Sequence, residues 1–391
     1  MRRKLLSTAV VGSALLLAVT GCSTPAETDT TAGGGLTGTG TGADCVIESA
    51  VPIAAAFSLT GAAAQYGAGQ KNALELAVED LNAVGGVTYE LTVEDDATDP
   101  KQAIQVFDTF IASGASIIIG PTLSNTAKQT DPIAQDAQVP VLGVSNTAAG
   151  ITEIGDYVFR DSLTEDAVIP QTVKAAVDKL GVKKVVVMYS NDDAFTESGY
   201  QAFAAALEDQ NVEVVDTLTF SKADTDFRAL LNKAKQSDAD AIVVSGLIDA
   251  AVPLVTQARE IGIDTPIIGG NGFNSPALLT GAGAAAEGVI VGAAWNSASD
   301  NEQNVKFIED YTAAYTSAPD QFSAQAYAGM QIIDHAVRSG CSAEREDIKT
   351  GLGDITDVPT VLGDVSLNEN RDAVHDALVQ IVQEGKFAIL K

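Results

Sequence analysis

The chain has 391 residues, 46% of them hydrophobic, and a formal net charge of -29. That length and apolar content suffice for two domains with full cores, which excludes a chain disordered throughout. So negative a field repels phosphate backbones and anionic lipid, which excludes nucleic-acid binding.

Residues 1–21 carry the three regions of a secretory signal peptide: the basic start MRRK, an apolar run from Leu5 to Val19, and small residues before Cys22. The run is too short to read as a membrane span. Removing Arg2, Arg3 and Lys4 with this leader takes the charge from -29 to -32 (-29 - 3). The ending Val19-Thr20-Gly21-Cys22 resembles the bacterial lipobox, which makes Cys22 the expected lipidation site. Residues 22–44 then contain almost nothing that can be buried, so they read as a flexible tether. The remaining cysteines, Cys45 and Cys341, either pair as a disulfide in an oxidising compartment or stay as two buried thiols; pairing is the expectation.

From Val51 onward, short runs of Val, Ile and Leu alternate with longer stretches of helical period, the pattern of βα units and parallel sheets. Strands are expected at 51–57, 89–95, 116–120, 139–144, 184–189, 213–219, 241–245, 266–270 and 288–293. Ala73, Leu74, Ala77, Val78 and Leu81 share one helical face, as do Ile104, Phe107, Phe110 and Ile111. Asp99-Pro100 reads as a cap with proline in the first helical position. The strand at 185–189 opens a second copy of the scheme. Two lobes follow, with the boundaries 45–164 (lobe 1), 165–294 (lobe 2), 295–372 (lobe 1 completed) and 373–391 (lobe 2 tail). The segment 157–166 is the first connection between them, and the return lies near Trp295 and Asn296.

Several chemistries are missing. The only histidines, His335 and His375, have no second His or Cys at metal spacing, so no metal site is expected. Asp334-His335 lacks a G-x-S-x-G elbow and reads as a surface pair, so no enzyme is expected. The glycine-rich run 281–288 precedes its strand instead of following it, and no G-x-x-x-x-G-K-[ST] occurs, so no nucleotide or other cofactor is expected. What recurs is a strand leading into a small polar loop and a helix start, in GPTLSNTA at 120–127 and GVSNTAAG at 143–150. A helix start offers unpaired N–H groups and partial positive charge, so a carboxylate can dock there without a lysine or arginine. On the residues alone, Ser124 and Thr147 read equally well as caps of their own helices.

The segments LTGAAAQYGAGQKNALELAVEDLNAVGGV, VEDDATDPKQAIQ, IIIGPTLSNTAKQTDPIA, VPVLGVSN, YVFR and DFRALLNKAKQSDADAIVVSG, in this order, resemble the branched-chain amino-acid and amide group of solute-binding proteins for ABC importers, over residues 46–391. The resemblance implies an α/β type I periplasmic-binding-protein fold: two Rossmann-like lobes with parallel sheets, a hinge, and a ligand cleft between them. It implies a carboxylate held by Ser124, Ser145, Asn146 and Thr147, with Tyr66 and Phe195 as aromatic walls. The acid that family amino-acid binders use for the ligand ammonium aligns with Asn271, and a family tyrosine aligns with Leu247. Glu165, Asp166 and Asp249 are the acids that would replace the missing charge. The expected function is non-enzymatic capture of a small carboxylate or amide by a monomer outside the cytoplasm, held to the bacterial cell membrane by lipid alone and handing its ligand to permease and ATPase subunits. A ligand-sensing receptor subunit of the same fold is the alternative.

Overall fold

In the computed structural model, residues 35–390 are described; the expected leader and Cys22 lie outside them. Chain order in the first lobe is β1 (Val51–Phe57), α1 (Ala64–Val84), β2 (Tyr89–Asp95), α2 (Pro100–Ala112), β3 (Ile117–Ile119), α3 (Ser124–Asp136), β4 (Val141–Gly143) and β5 (Val158–Arg160). The second lobe repeats it with α4 (Glu165–Leu180), β6 (Lys184–Ser190), α5 (Ala194–Asp209), β7 (Glu213–Phe220), α6 (Arg228–Gln236), β8 (Ala241–Ser245), α7 (Ile248–Glu260), β9 (Ile267–Gly269), α8 (Pro276–Ala282) and β10 (Ile290–Ala293). The chain then returns through α9 (Glu302–Tyr315), α10 (Gln321–Gly340) and α11 (Arg345–Gly353). It continues through β11 (Val358–Thr360), β12 (Gly363–Leu367) and β13 (Ala373–Val374), and ends in β14 (Leu378–Gln383) and β15 (Lys386–Ile389).

Strands β2-β1-β3-β4-β5 form one all-parallel sheet, and β7-β6-β8-β9-β10 repeat that order in the other, extended by the antiparallel pair β14-β15. Alternation along β1 explains the layers. Ile53, Ala55 and Phe57 pack towards α1 and α10, while Ala54 and Ala56 pack with Phe107, Phe110 and Ala134 of α2 and α3. In the second lobe Val186 and Met188 face α6 to α8, whereas Val185 and Val187 face α4 and α5. Asp99 caps α2 by accepting from the Lys101 amide, with Pro100 in its first turn. The nine expected strands all form, with ends shifted by two residues at most.

Three expectations change. Residues 35–44 are not tether: Gly38 N donates to Cys341 O, Ala343 N donates to Leu36 O, and Leu36 packs on the first-lobe core. The segment 157–166 is more than a connection, because its first half supplies β5. Ala373 and Val374 pair with β12 in a small antiparallel sheet, so the last crossing to the second lobe falls after them. Cys45 and Cys341 are joined as a disulfide that ties the segment before β1 to the C-terminal end of α10. Among the described residues no helix is long and apolar enough to cross a membrane.

Candidate functional site

In both sheets the chain reverses its winding between the first and third strands, at β1/β3 and β6/β8, and open α/β sheets bind ligands outside the carboxyl ends of strands at such points. The loops after β3 and β4 carry Thr122, Leu123, Ser124, Ser145 and Thr147. Facing them from the second lobe are Phe195 after β6, Leu247 after β8, and Asn271 and Gly272 after β9. Tyr66 of α1 and Gln321, Phe322 and Gln325 of α10 complete one cavity, with about 370 Å³ of empty space that includes some open to solvent. No residue of this lining carries a formal charge.

The β3 loop is set by backbone fit. Gly120 has φ of +107°, and a Cβ there would sit 2.3 Å from the Ala56 carbonyl oxygen, so only glycine lets β3 turn so close to β1. The chain then enters α3, where Ser124 is the first helical residue and Leu123 the cap. Ser124 is therefore not its own helix cap. Its hydroxyl accepts from the Ala148 amide at 3.2 Å, which leaves the hydroxyl hydrogen to donate, beside the first-turn N–H groups of α3.

The β4 loop differs from expectation, since no helix begins at Thr147. The buried Arg160 side chain donates through Nη1 to the carbonyls of Asn146 and Ala148, at 3.1 and 2.7 Å, and its Nε pairs with Asp372. Carbonyls drawn to a guanidinium are not free to build a helical turn, so the loop stays irregular and its cation sits behind the backbone. Asn146 is also displaced from its expected role. Its Nδ2 donates to the Pro121 carbonyl, so it braces the β3 and β4 loops against each other and does not line the cavity. Ser145 Oγ donates to the Thr122 carbonyl and accepts from Gln70.

Tyr66 walls the cavity and does more than that. Its hydroxyl donates to the Gly272 carbonyl at 2.9 Å and accepts from the Ile248 amide at 2.7 Å, joining the two lobes. Its ring lies 4.3 Å from that of Phe322, and both rings join the second lobe's core cluster. Further bridges between the lobes run from Asn125 Nδ2 to Asp193, from Ala194 N to Asn125 Oδ1, and from Ala149 N to Ser198 Oγ. The lobes are closed on each other.

Of the three acids expected near Asn271, Asp166 and Asp249 are exposed, and Glu165 is buried. Glu165 Oε1 accepts from Asn271 Nδ2 at 2.8 Å and from Thr147 Oγ1 at 3.1 Å, while Oε2 has no partner. Burial pushes its carboxyl up to about 7, only partly offset by those two donors. It stands behind Asn271 and Thr147, outside the cavity lining. Asp334 accepts from Tyr89 and Arg338, away from the cavity, so it forms no pair with the exposed His335. Among the described residues no cluster of three or more His, Cys, Asp or Glu is placed to hold a metal.

Residues 50–386 match the periplasmic binding protein family. The chain belongs to that family. It is similar to the Leu/Ile/Val-binding protein BraC3 of Rhizobium johnstonii, 27% identical over 321 residues, covering 80% of this chain and 86% of the relative. A solved relative is the branched-chain amino acid transporter substrate binding protein LivJ from Streptococcus pneumoniae, in complex with isoleucine. Its TM-score is 0.82 at 29% identity, over 87% of this chain and 98% of that one. The leucine binding protein LivK of Thermotoga maritima gives 0.83 at 25% identity, over 87% and 97%. Members of this family are substrate-binding transport proteins, and its two-lobed type I fold is the fold of this chain.

Gln70, Arg160, Gln321, Phe322 and Gln325 were not singled out from the sequence. For α10 a signal exists: QFSAQ puts two glutamines four residues apart, on the same helical face as Phe322, and a polar pair beside an aromatic on a core-facing stripe is unusual.

Proposed function

We propose that this protein captures a small carboxylate- or amide-bearing solute outside the cytoplasm, a branched-chain amino acid or a relative of one, and delivers it to an ABC permease. The carrying observation is the uncharged cavity at the strand ends of both lobes, with the α3 start and the Ser124 hydroxyl open towards it. A carboxylate docks there on oriented N–H groups, with Thr147 and the Ser145 loop beside it. Phe195, Leu247 and Asn271 then seal the cleft as the lobes close, and the permease reads closure. Cys22 carries the lipid anchor, and residues between it and the folded body act as the tether. The similarity to Leu/Ile/Val-binding relatives supports this solute class.

The test is a thermal-shift screen of amino acids, aromatic acids and short amides, followed by calorimetry on the strongest binder, because a ligand of the folded state raises the melting point. Ser124→Ala removes one hydrogen bond to a charged group and is expected to weaken the best carboxylate by about 10- to 100-fold. Unchanged affinity in that variant would sink the proposed docking mode. Tyr66→Phe is expected to act on closure instead. It leaves the Gly272 carbonyl and the Ile248 amide unpaired in the closed form, so affinity drops by about tenfold or more, mainly through faster release. An unchanged dissociation rate in stopped-flow would count against Tyr66 as a latch.

A further inference from the structure

The polar side chains of the cavity wall are almost all paired with one another. Thr122 donates to Gln70 and accepts from the Ser58 amide. Asn271 donates to Glu165 and accepts from Gln321, whose own oxygen accepts from Asn274 and the Ala294 amide. Ser124 keeps its hydroxyl hydrogen, which the carboxylate of the proposed ligand takes. Gln325 is the exception: it lines the cavity, is 1% exposed, and neither its amide nitrogen nor its amide oxygen has a hydrogen-bond partner.

A primary amide offers two N–H donors and an acceptor oxygen, and burying all of them unpaired penalises the closed form. Gln325 lies one turn beyond Gln321 and Phe322 on the same face of α10, so closure carries it into a wall that supplies it nothing. A wholly aliphatic ligand would press methyl groups on this amide and leave it unpaired. Sites built around a buried hydrogen-bonding group reject the analogue that lacks the partner.

We propose that Gln325 reads the ligand beyond its carboxylate, and that the group it takes both donates and accepts a hydrogen bond: a carboxamide or a hydroxyl where leucine, isoleucine and valine carry only hydrocarbon. This rests on the carboxylate docking proposed above and narrows its solute class. Phe195, Leu247 and Phe322 remain to enclose the methylenes between the two polar ends.

Two isosteric pairs test it by calorimetry: L-asparagine against L-leucine, and succinamate against 4-methylpentanoate. The polar member of whichever pair binds is expected to be tighter by at least about tenfold in the wild type. Gln325→Met, close in volume, is expected to erase that preference while the ligand-free protein melts no lower, because an unpaired buried amide has been removed. An aliphatic member that outbinds its polar isostere, in a protein whose affinity still depends on Ser124, overturns the inference and leaves the docking mode standing. So does a Gln325→Met variant with unaltered preference, in which a cavity water would be serving the amide. A loss confined to the amino-acid pair would place Gln325 at the ligand ammonium and also overturn it. If none of the four binds, this inference falls, and the carboxylate docking is decided by the wider screen and Ser124→Ala.

Discussion

Replacing Cys45 and Cys341 together by alanine is expected to lower unfolding stability by about 5 kcal/mol. The bridge spans 296 residues of sequence. Cross-linking so long a loop removes many conformations from the unfolded chain, and the chain-entropy relation puts the effect near the top of the range for single disulfides. The folded state loses little besides the bond. Both sulfurs are buried, and the backbone bonds of Gly38 to Cys341 and of Thr39 to Val46 persist without it. Urea unfolding of the oxidised wild type and the double variant reads the difference directly. A change below about 1 kcal/mol would mean that the unfolded chain is already compact around these segments.

Glu165→Gln is expected to stabilise the protein at pH 8 by about 2 to 3 kcal/mol and to change nothing at pH 4.5. The sign follows from the direction of the shift. The carboxyl is pushed from its ordinary 4.5 to about 7, so the folded form holds its proton at pH values where the unfolded chain has lost it. The resulting advantage of the fold is complete below about 4.5, declines as pH rises, and is gone above 7, where the folded state must bury a charge whose Oε2 has no partner. Glutamine mimics the protonated acid, and its oxygen still accepts from Asn271 and Thr147. Other buried acids, Asp131, Asp161 and Asp320, are raised by burial too, and burial draws His375 down to about 4. Comparing variant with wild type at each pH cancels them. Melting curves whose separation stays constant between pH 5 and 8 would refute the assignment.

The inner parallel strands β1, β3 and β8 were legible because each is buried on both faces and reads as an unbroken apolar run, as in IIIG and AIVVS, whereas the edge strands β2 and β7 are half-exposed and mix acids with apolar residues. The strands missed, β5 and β11 to β15, are short or half-exposed, and their sequences alternate weakly. The β3 and β4 loops were legible from small polar residues after a strand. Thr147 was misplaced at a helix start because the residue that forbids the helix, Arg160, is thirteen positions later and acts through space. Gln325 escaped for a different reason. QFSAQ marks a polar pair on a core-facing stripe, but that Gln325 faces the cavity without a partner follows only from where the first turns of α10 pack, and that is a tertiary fact.

The clasp around Cys45 and Cys341 fixes residues 36–46 to the first lobe, while β15 closes the chain in the sheet of the second. The two ends of the folded body therefore ride on separate halves of a jaw. Fluorescent proteins fused at these ends would move apart and together as the jaw works, turning solute capture into a colour signal without any label near the cavity.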